Sequence, residues 1–295
     1  MGDVHGRIDH LAIDLNRQRL YVAELGNDAV GAVDLKARKT VQTLTGFKEP
    51  QGIGYEPATD TVYVANGGDG TVRIFQGADL LPIGKLDLGE DADNVRIDSV
   101  THHVLVGHGS GALAVIDPVS RVLIADIALK GHPESFQIAQ DGQHIFVNIP
   151  DNREIAVIGS LQRQQLASWK PEALHANFPL AVDEGRHQVL AVFRSPPTLG
   201  VFDAMTGALL SSADTCGDSD DLFLDTQRAR LYISCGEGYI DVMSAQQSGY
   251  ARVARVATIR GARTALWLPA IDRLLLAVRA TGSEPAAIWV YRPTP

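Results

Sequence analysis

The stretch that decides the fold is Leu20-Tyr21-Val22-Ala23, because it returns six more times. The later copies are Val62-Tyr63-Val64-Ala65, Val104-Leu105-Val106-Gly107, Ile145-Phe146-Val147-Asn148, Val189-Leu190-Ala191-Val192, Leu231-Tyr232-Ile233-Ser234 and Leu274-Leu275-Leu276-Ala277. Their second residues stand at 21, 63, 105, 146, 190, 232 and 275, in steps of 42, 42, 41, 44, 42 and 43. Seven nearly equal steps mark an internal repeat, and a repeat is read before anything else.

Each copy sits in the same local grammar. A short apolar strand precedes it, such as Leu11-Ala12-Ile13-Asp14 or Leu222-Phe223-Leu224-Asp225, followed by a polar turn such as Asn16-Arg17-Gln18. A Gly/Asn/Asp turn after the copy leads to a third strand, such as Ala32-Val33-Asp34 or Val201-Phe202-Asp203. A more polar fourth strand closes the unit, as in Thr40-Val41-Gln42-Thr43-Leu44. β-Branched and aromatic runs bounded by turn formers are strands. Four antiparallel strands per unit of about 42 residues make a propeller blade. The reading is an all-β, seven-bladed β-propeller, a single domain over residues 1–295. A helical solenoid would need period-3.6 runs, and the sequence has none. The last unit ends after Ile288-Trp289-Val290-Tyr291. Its outer strand is expected to be missing, either because the seventh blade has three strands or because a natural chain has more sequence upstream.

Composition limits the rest. A chain of 295 residues with 45% hydrophobic and 21% charged residues suits a water-facing globular protein, and repeat units escape the size limit of a single core. No apolar run is long enough to span a membrane as a helix. The net charge of −9 disfavours nucleic acid as a partner. Arg252, Arg255, Arg260 and Arg263 come nearest to a basic cluster and read as solvated strand positions. Two cysteines, Cys216 and Cys235, are too few for a disulfide framework. They are either a single disulfide or two separate buried thiols; oligomeric state is not legible.

In a propeller the loop before each inner strand lies on one face, so seven positions about 42 residues apart converge there. Alignment on the repeat picks out Asp9-His10, Pro50-Gln51, Asp93-Asn94, Glu134-Ser135, Asn177-Phe178-Pro179, Asp220-Asp221 and Arg263-Thr264. A frame without function would tend to reuse one residue type; these seven differ, and most are polar. Gathering carboxylates is costly unless a cation, an arginine or a proton offsets them. Asp9, His10, Asp93, Glu134, Asn177 and Asp221 are therefore the expected metal ligands. Carboxylate and amide oxygens suit Ca²⁺ or Mg²⁺, and His10 admits a transition metal. The competing reading is a wet face whose aspartates satisfy turn N–H groups. If the site is catalytic, Glu134, Asp221, His10 and Arg263 are the expected catalytic residues, with Gln51, Asn94, His108, His132 and Asp220 contacting a small polar ligand. Hydrolysis by a polarised water fits that set. Arg263 would bind a carboxylate or an oxyanion.

The strands Leu20-Tyr21-Val22-Ala23 and Val64-Ala65, with the loops Glu24-Leu25-Gly26-Asn27-Asp28 and Asn66-Gly67-Gly68-Asp69-Gly70, resemble the YVTN-type, or YncE-like, propellers along the whole chain. That resemblance implies the propeller fold and a periplasmic or secreted protein, with the cytoplasm as the alternative for a chain showing no signal peptide. Members are often labelled gluconolactonase-like. Gluconolactonase propellers hold a divalent ion through Glu, Asn and Asp, to which Glu134, Asn177 and Asp221 are comparable in type. The Glu begins the first blade there and the fourth blade here. The resulting expectation is a metal-assisted hydrolase of the lactonase kind, with a non-catalytic propeller that binds a small ligand, metal or protein as the alternative.

Overall fold

A computed structural model describes every residue of the chain except Ser283 and Pro295; the domain boundary expected at Pro295 thus falls outside the described residues. The strands follow the repeat. The first sheet holds β1 (Leu11–Asp14), β2 (Arg19–Glu24), β3 (Ala29–Asp34) and β4 (Lys39–Thr45). The second holds β5 (Pro50–Glu56), β6 (Thr61–Asn66), β7 (Thr71–Gln76) and β8 (Pro82–Asp87). The third holds β9 (Val95–Ile97), β10 (Val104–His108), β11 (Ala112–Asp117) and β12 (Val122–Ala128). The fourth runs through β13 (Ser135–Ile138), β14 (His144–Ile149), β15 (Glu154–Gly159) and β16 (Gln164–Trp169). The fifth runs through β17 (His175–Asp183), β18 (Gln188–Ser195), β19 (Pro197–Asp203) and β20 (Leu209–Asp214), and the sixth through β21 (Ser219–Asp225), β22 (Arg230–Cys235), β23 (Tyr239–Ala245) and β24 (Tyr250–Ala257). The last has only β25 (Ala265–Leu268), β26 (Arg273–Val278) and β27 (Ala287–Tyr291). Each sheet is a meander in which consecutive strands are neighbours. The chain is an all-β, seven-bladed propeller whose seventh blade has three strands.

The repeated tetrapeptides form the second strand of each blade and are its most buried part. Leu20 to Ala23 and Val62 to Ala65 are all at most 1% exposed. Outer strands alternate with solvent instead, as the pattern of Lys39–Thr45 shows. Six third-to-fourth strand pairs carry a register shift at one equivalent place: after Ala32, Ile74, Val115, Val157, Val201 and Val242. A bulge there steepens the local twist.

The inner strands end on a recurring buried acid. Asp14, Glu56, Asp98 and Asp225 accept backbone N–H bonds from the turn that follows, as Asp183 does from Arg186. Their oxygens satisfy turn donors that would otherwise be left unpaired.

The chain divides into two compact units, Met1–Pro133 with Val278–Ile288, and Glu134–Ala277 with Trp289–Pro295. In the first, Tyr21, Phe47, Ile53 and Val64 pack neighbouring blades together, as Tyr63, Ile74, Val95 and Val106 do for the next pair. In the second the same work falls to Phe146, Trp169, Leu180 and Phe202, and to Leu190, Val201, Leu222 and Met243.

Candidate functional site

The expected site residues fall into two groups, one in each unit. In the first unit Asp9 and His10 immediately precede β1. The Asp9 N–H donates to the Ala23 carbonyl at 2.9 Å, and the His10 carbonyl accepts from Ala23 N at 3.0 Å. Asp93 and Asn94 repeat this arrangement with Gly107: Asp93 N donates to Gly107 O at 2.8 Å, and Gly107 N donates to Asn94 O at 3.0 Å. The second-strand end thus fixes the backbone of both pairs. Gly52 admits the close approach of Asp93, since a Cβ at Gly52 would overlap the Asp93 carbonyl oxygen.

One ligand atom each from Asp9, His10 and Asp93 lies within 4.8 Å of the other two. Asp9 is 3% and Asp93 5% exposed. The Arg7 guanidinium donates to Asp9 Oδ1 at 2.9 Å, and His10 Nδ1 stands 3.8 Å from the same oxygen. His132 Nδ1 meets the Gly109 carbonyl at 2.7 Å, and its Nε2 lies 3.8 Å from Asp93 Oδ2. Burial alone would lower the His132 pKa, but Asp93, the Gly109 carbonyl and Asp91 push it up to about 9. Buried Asp93 Oδ1 and His10 Nδ1 have no hydrogen-bond partner among the described residues. Buried polar atoms of this kind call for a partner. Two carboxylates and an imidazole at this spacing could hold a divalent metal ion. Gln51 stands at the edge of the group and donates to Asp91 Oδ1 at 3.1 Å. His108 is paired away from it, with Nε2 2.9 Å from Asp126.

The second unit holds Glu134, Asn177, Asp220, Asp221 and Arg263. Asn177 lies in β17 where the register slips before Leu180, so the extra residues Phe178 and Pro179 bulge from the ladder. Its Nδ2 donates to Asn148 Oδ1 and to the Glu154 carbonyl, both at 2.9 Å, and Oδ1 is buried without a hydrogen-bond partner among the described residues. Asn148 Nδ2 donates in turn to Phe178 O at 2.9 Å. Glu134 is half-buried, and its backbone N–H bonds Asn148 O at 3.0 Å.

The aspartates that follow are engaged. Arg194 Nη2 donates to Asp220 Oδ1 at 2.6 Å while its guanidinium lies 3.4 Å over the Phe178 ring. Arg263 Nη1 donates to Asp218 at 2.6 Å, and its Nε lies 3.2 Å from Asp220 Oδ2. Asp221 Oδ2 accepts from Ala265 N at 2.7 Å. Two arginines and two aspartates thus cancel in charge, and Asp221 holds the start of β25. Cys216 and Cys235 are joined by a disulfide, with Cα atoms 5.9 Å apart. Next to it, Gly217 N donates to Glu237 and Gly236 N to Asp218 O, which fixes the loop carrying Asp218 and Asp220.

Sequence reading missed Arg7, Asn148 and Arg194. Arg7 precedes the aligned positions, and Arg194 lies just beyond the repeated tetrapeptide Val189–Val192. Asn148 was visible as the only amide closing a repeated tetrapeptide.

No family model matches the chain, and no curated protein matches it. Solved structures do. A chain of the structure titled "Crystal Structure of Mitotic Checkpoint Complex" is similar over 99% of this chain and 89% of its own, with a TM-score of 0.82 and 14% identity. A chain of Kuenenia stuttgartiensis hydrazine synthase is similar over 97% of this chain and 95% of its own, with a TM-score of 0.82 and 15% identity. At such identities the likeness shows the propeller fold alone, and propellers host unrelated functions.

Proposed function

We propose that this chain is a YncE-like propeller that holds a divalent metal ion on Asp9, His10 and Asp93 and acts as a hydrolase of the lactonase kind on a small polar molecule. One observation carries the reading: two buried carboxylates and an imidazole present donor atoms within 4.8 Å of one another, with an orphaned oxygen on Asp93. Two carboxylates with His10 suit Mn²⁺ or Zn²⁺ better than Ca²⁺, which takes oxygen ligands only. Held by Asp9, His10 and Asp93, such an ion would supply Lewis acidity to a carbonyl and would lower the pKa of a water. Water adds to the carbonyl carbon, the ring C–O bond breaks, and the water's proton ends on the released alkoxide. The disulfide supports a periplasmic or secreted setting, since such bonds persist in oxidising compartments.

Binding without turnover is the second reading. It is favoured by Asp220 and Asp221, whose bonds to Arg194 and Ala265 N occupy two of the expected site carboxylates.

Elemental analysis and Mn²⁺ titration of the purified chain, beside Asp93→Asn, test the centre. Wild type should take up one ion, and Asp93→Asn should bind it at least tenfold more weakly, a loss of roughly 1.4 kcal/mol. Equal binding by the two proteins would discard this ligand set. Chelator-sensitive opening of aliphatic lactones would support the hydrolase. Metal uptake without turnover of any lactone would leave the binding reading.

A further inference from the structure

Asp9 and its partner Arg7 differ sharply in exposure: the Asp9 side chain is 1% exposed, the Arg7 side chain 40%. The carboxylate is fixed within the fold, and the guanidinium reaches it from the solvent side. The backbone beneath Arg7 is pinned. Gly26 N donates to Arg7 O at 2.9 Å, and buried Val4 and Ile8 anchor the segment on either side. Gly26 permits this closeness, because a Cβ there would stand 2.7 Å from His5 O and 2.9 Å from Arg7 N. A rigid base with a long, half-exposed side chain is a tether, free to move at one end only.

Asp9 and Asp93 are buried side by side, and like charges in one site are costly unless neutralised. Arg7 supplies part of that neutralisation through Asp9 Oδ1. A metal ion held by the same three residues needs that carboxylate as well. Guanidinium and metal are both cations drawn to one buried carboxylate, so each weakens the hold of the other by like-charge repulsion and by sharing one negative charge.

We propose that Arg7 is a tethered competitor for the metal site: it neutralises Asp9 when no ion is bound and is displaced when one enters. This rests on the metal reading above. The consequence is a centre whose affinity is set below what its ligands alone would give, while the metal-free fold escapes an uncompensated buried charge. Both halves follow from the bond between Arg7 Nη2 and Asp9 Oδ1.

The test is Mn²⁺ titration by calorimetry, with thermal unfolding in chelator, on wild type, Arg7→Gln and Arg7→Lys. Arg7→Gln should bind Mn²⁺ roughly three- to tenfold more tightly, yet unfold at a lower temperature than wild type in chelator. Arg7→Lys keeps the charge and should fall between them in affinity. A merely structural role would lower affinity and stability together. Equal or weaker Mn²⁺ binding by Arg7→Gln overturns the proposal. Absence of Mn²⁺ binding in all three proteins removes the metal reading and this proposal with it. Absence in wild type with binding in Arg7→Gln would overturn metal uptake by the native chain while keeping Arg7 as the competitor.

Discussion

The acids of this chain do two kinds of work. Asp14, Glu56, Asp98, Asp183 and Asp225 cap turns at the ends of inner strands, and Asp34, Asp117 and Asp203 cap turns after third strands. Much of the excess negative charge is therefore architectural. Glu24 belongs to neither kind. It ends β2, is 3% exposed, and fits because Gly31, diagonally across the ladder from it, lacks a side chain that would meet its carboxyl. Burial pushes its carboxyl up to about 7, against the weaker pull of the Met1 ammonium. The fold thus prefers the protonated form. Its contribution to stability is complete below the unfolded pKa of about 4.3 and is lost as pH rises to about 7. Glu24→Gln keeps the shape without the charge. It should gain stability at pH 8, by up to about 3 kcal/mol, and show a flatter profile between pH 5 and 8. Urea unfolding at the two pH values checks this, and an unchanged slope would contradict it.

At the scale of strands and loops, the repeat made the fold legible because every blade buries the same second strand. β1 has the bounds its sequence announced, and the expected fourth strand Thr40–Leu44 lies inside β4. The site was legible in part. Asp9-His10 and Asp93-Asn94 stand out by alignment, since both precede an inner strand and both bond the end of a second strand. The partners in each group were not, because Arg7 beside Asp9 and Arg194 beside Asp220 both lie outside the aligned positions. Asp221, expected as a ligand, also accepts from Ala265 N, a bond that depends on the neighbouring blade and that no local pattern reveals. The Cys216–Cys235 bond was an open alternative that three-dimensional proximity settles. With its ends 19 positions apart, it should be worth about 3 kcal/mol through the unfolded state. Replacing both cysteines by alanine should lower stability by about that amount. Both sulfurs are buried, so reductant should act on the wild type only under unfolding conditions. Thiol counts with and without denaturant, after mild reduction, decide it.

Among the described residues, six sheets have four strands and one has three. Third strands such as β23 are hydrogen-bonded on both sides, to β22 and to β24. β27 is the edge of its sheet, and Val290 within it is 57% exposed. Hydrogen exchange should therefore separate strands of equivalent sequence position. Amides of β27 facing away from β26 should exchange at least about tenfold faster than those of β23, since local opening costs least where pairing is one-sided. Equal protection would mean that something else covers that edge.

The recurring caps carry a consequence for how such a chain can change. Asp14, Glu56, Asp98, Asp183 and Asp225 secure inner strands at their finish, while Gln51, Asp93 and Asn177 stand near the start, where each blade carries something different. Turn anchorage and the variable polar positions thus lie at opposite termini of one short strand. A lineage could rewrite the second alphabet without touching the first, and inherit a new binding specificity on a scaffold that folds as before.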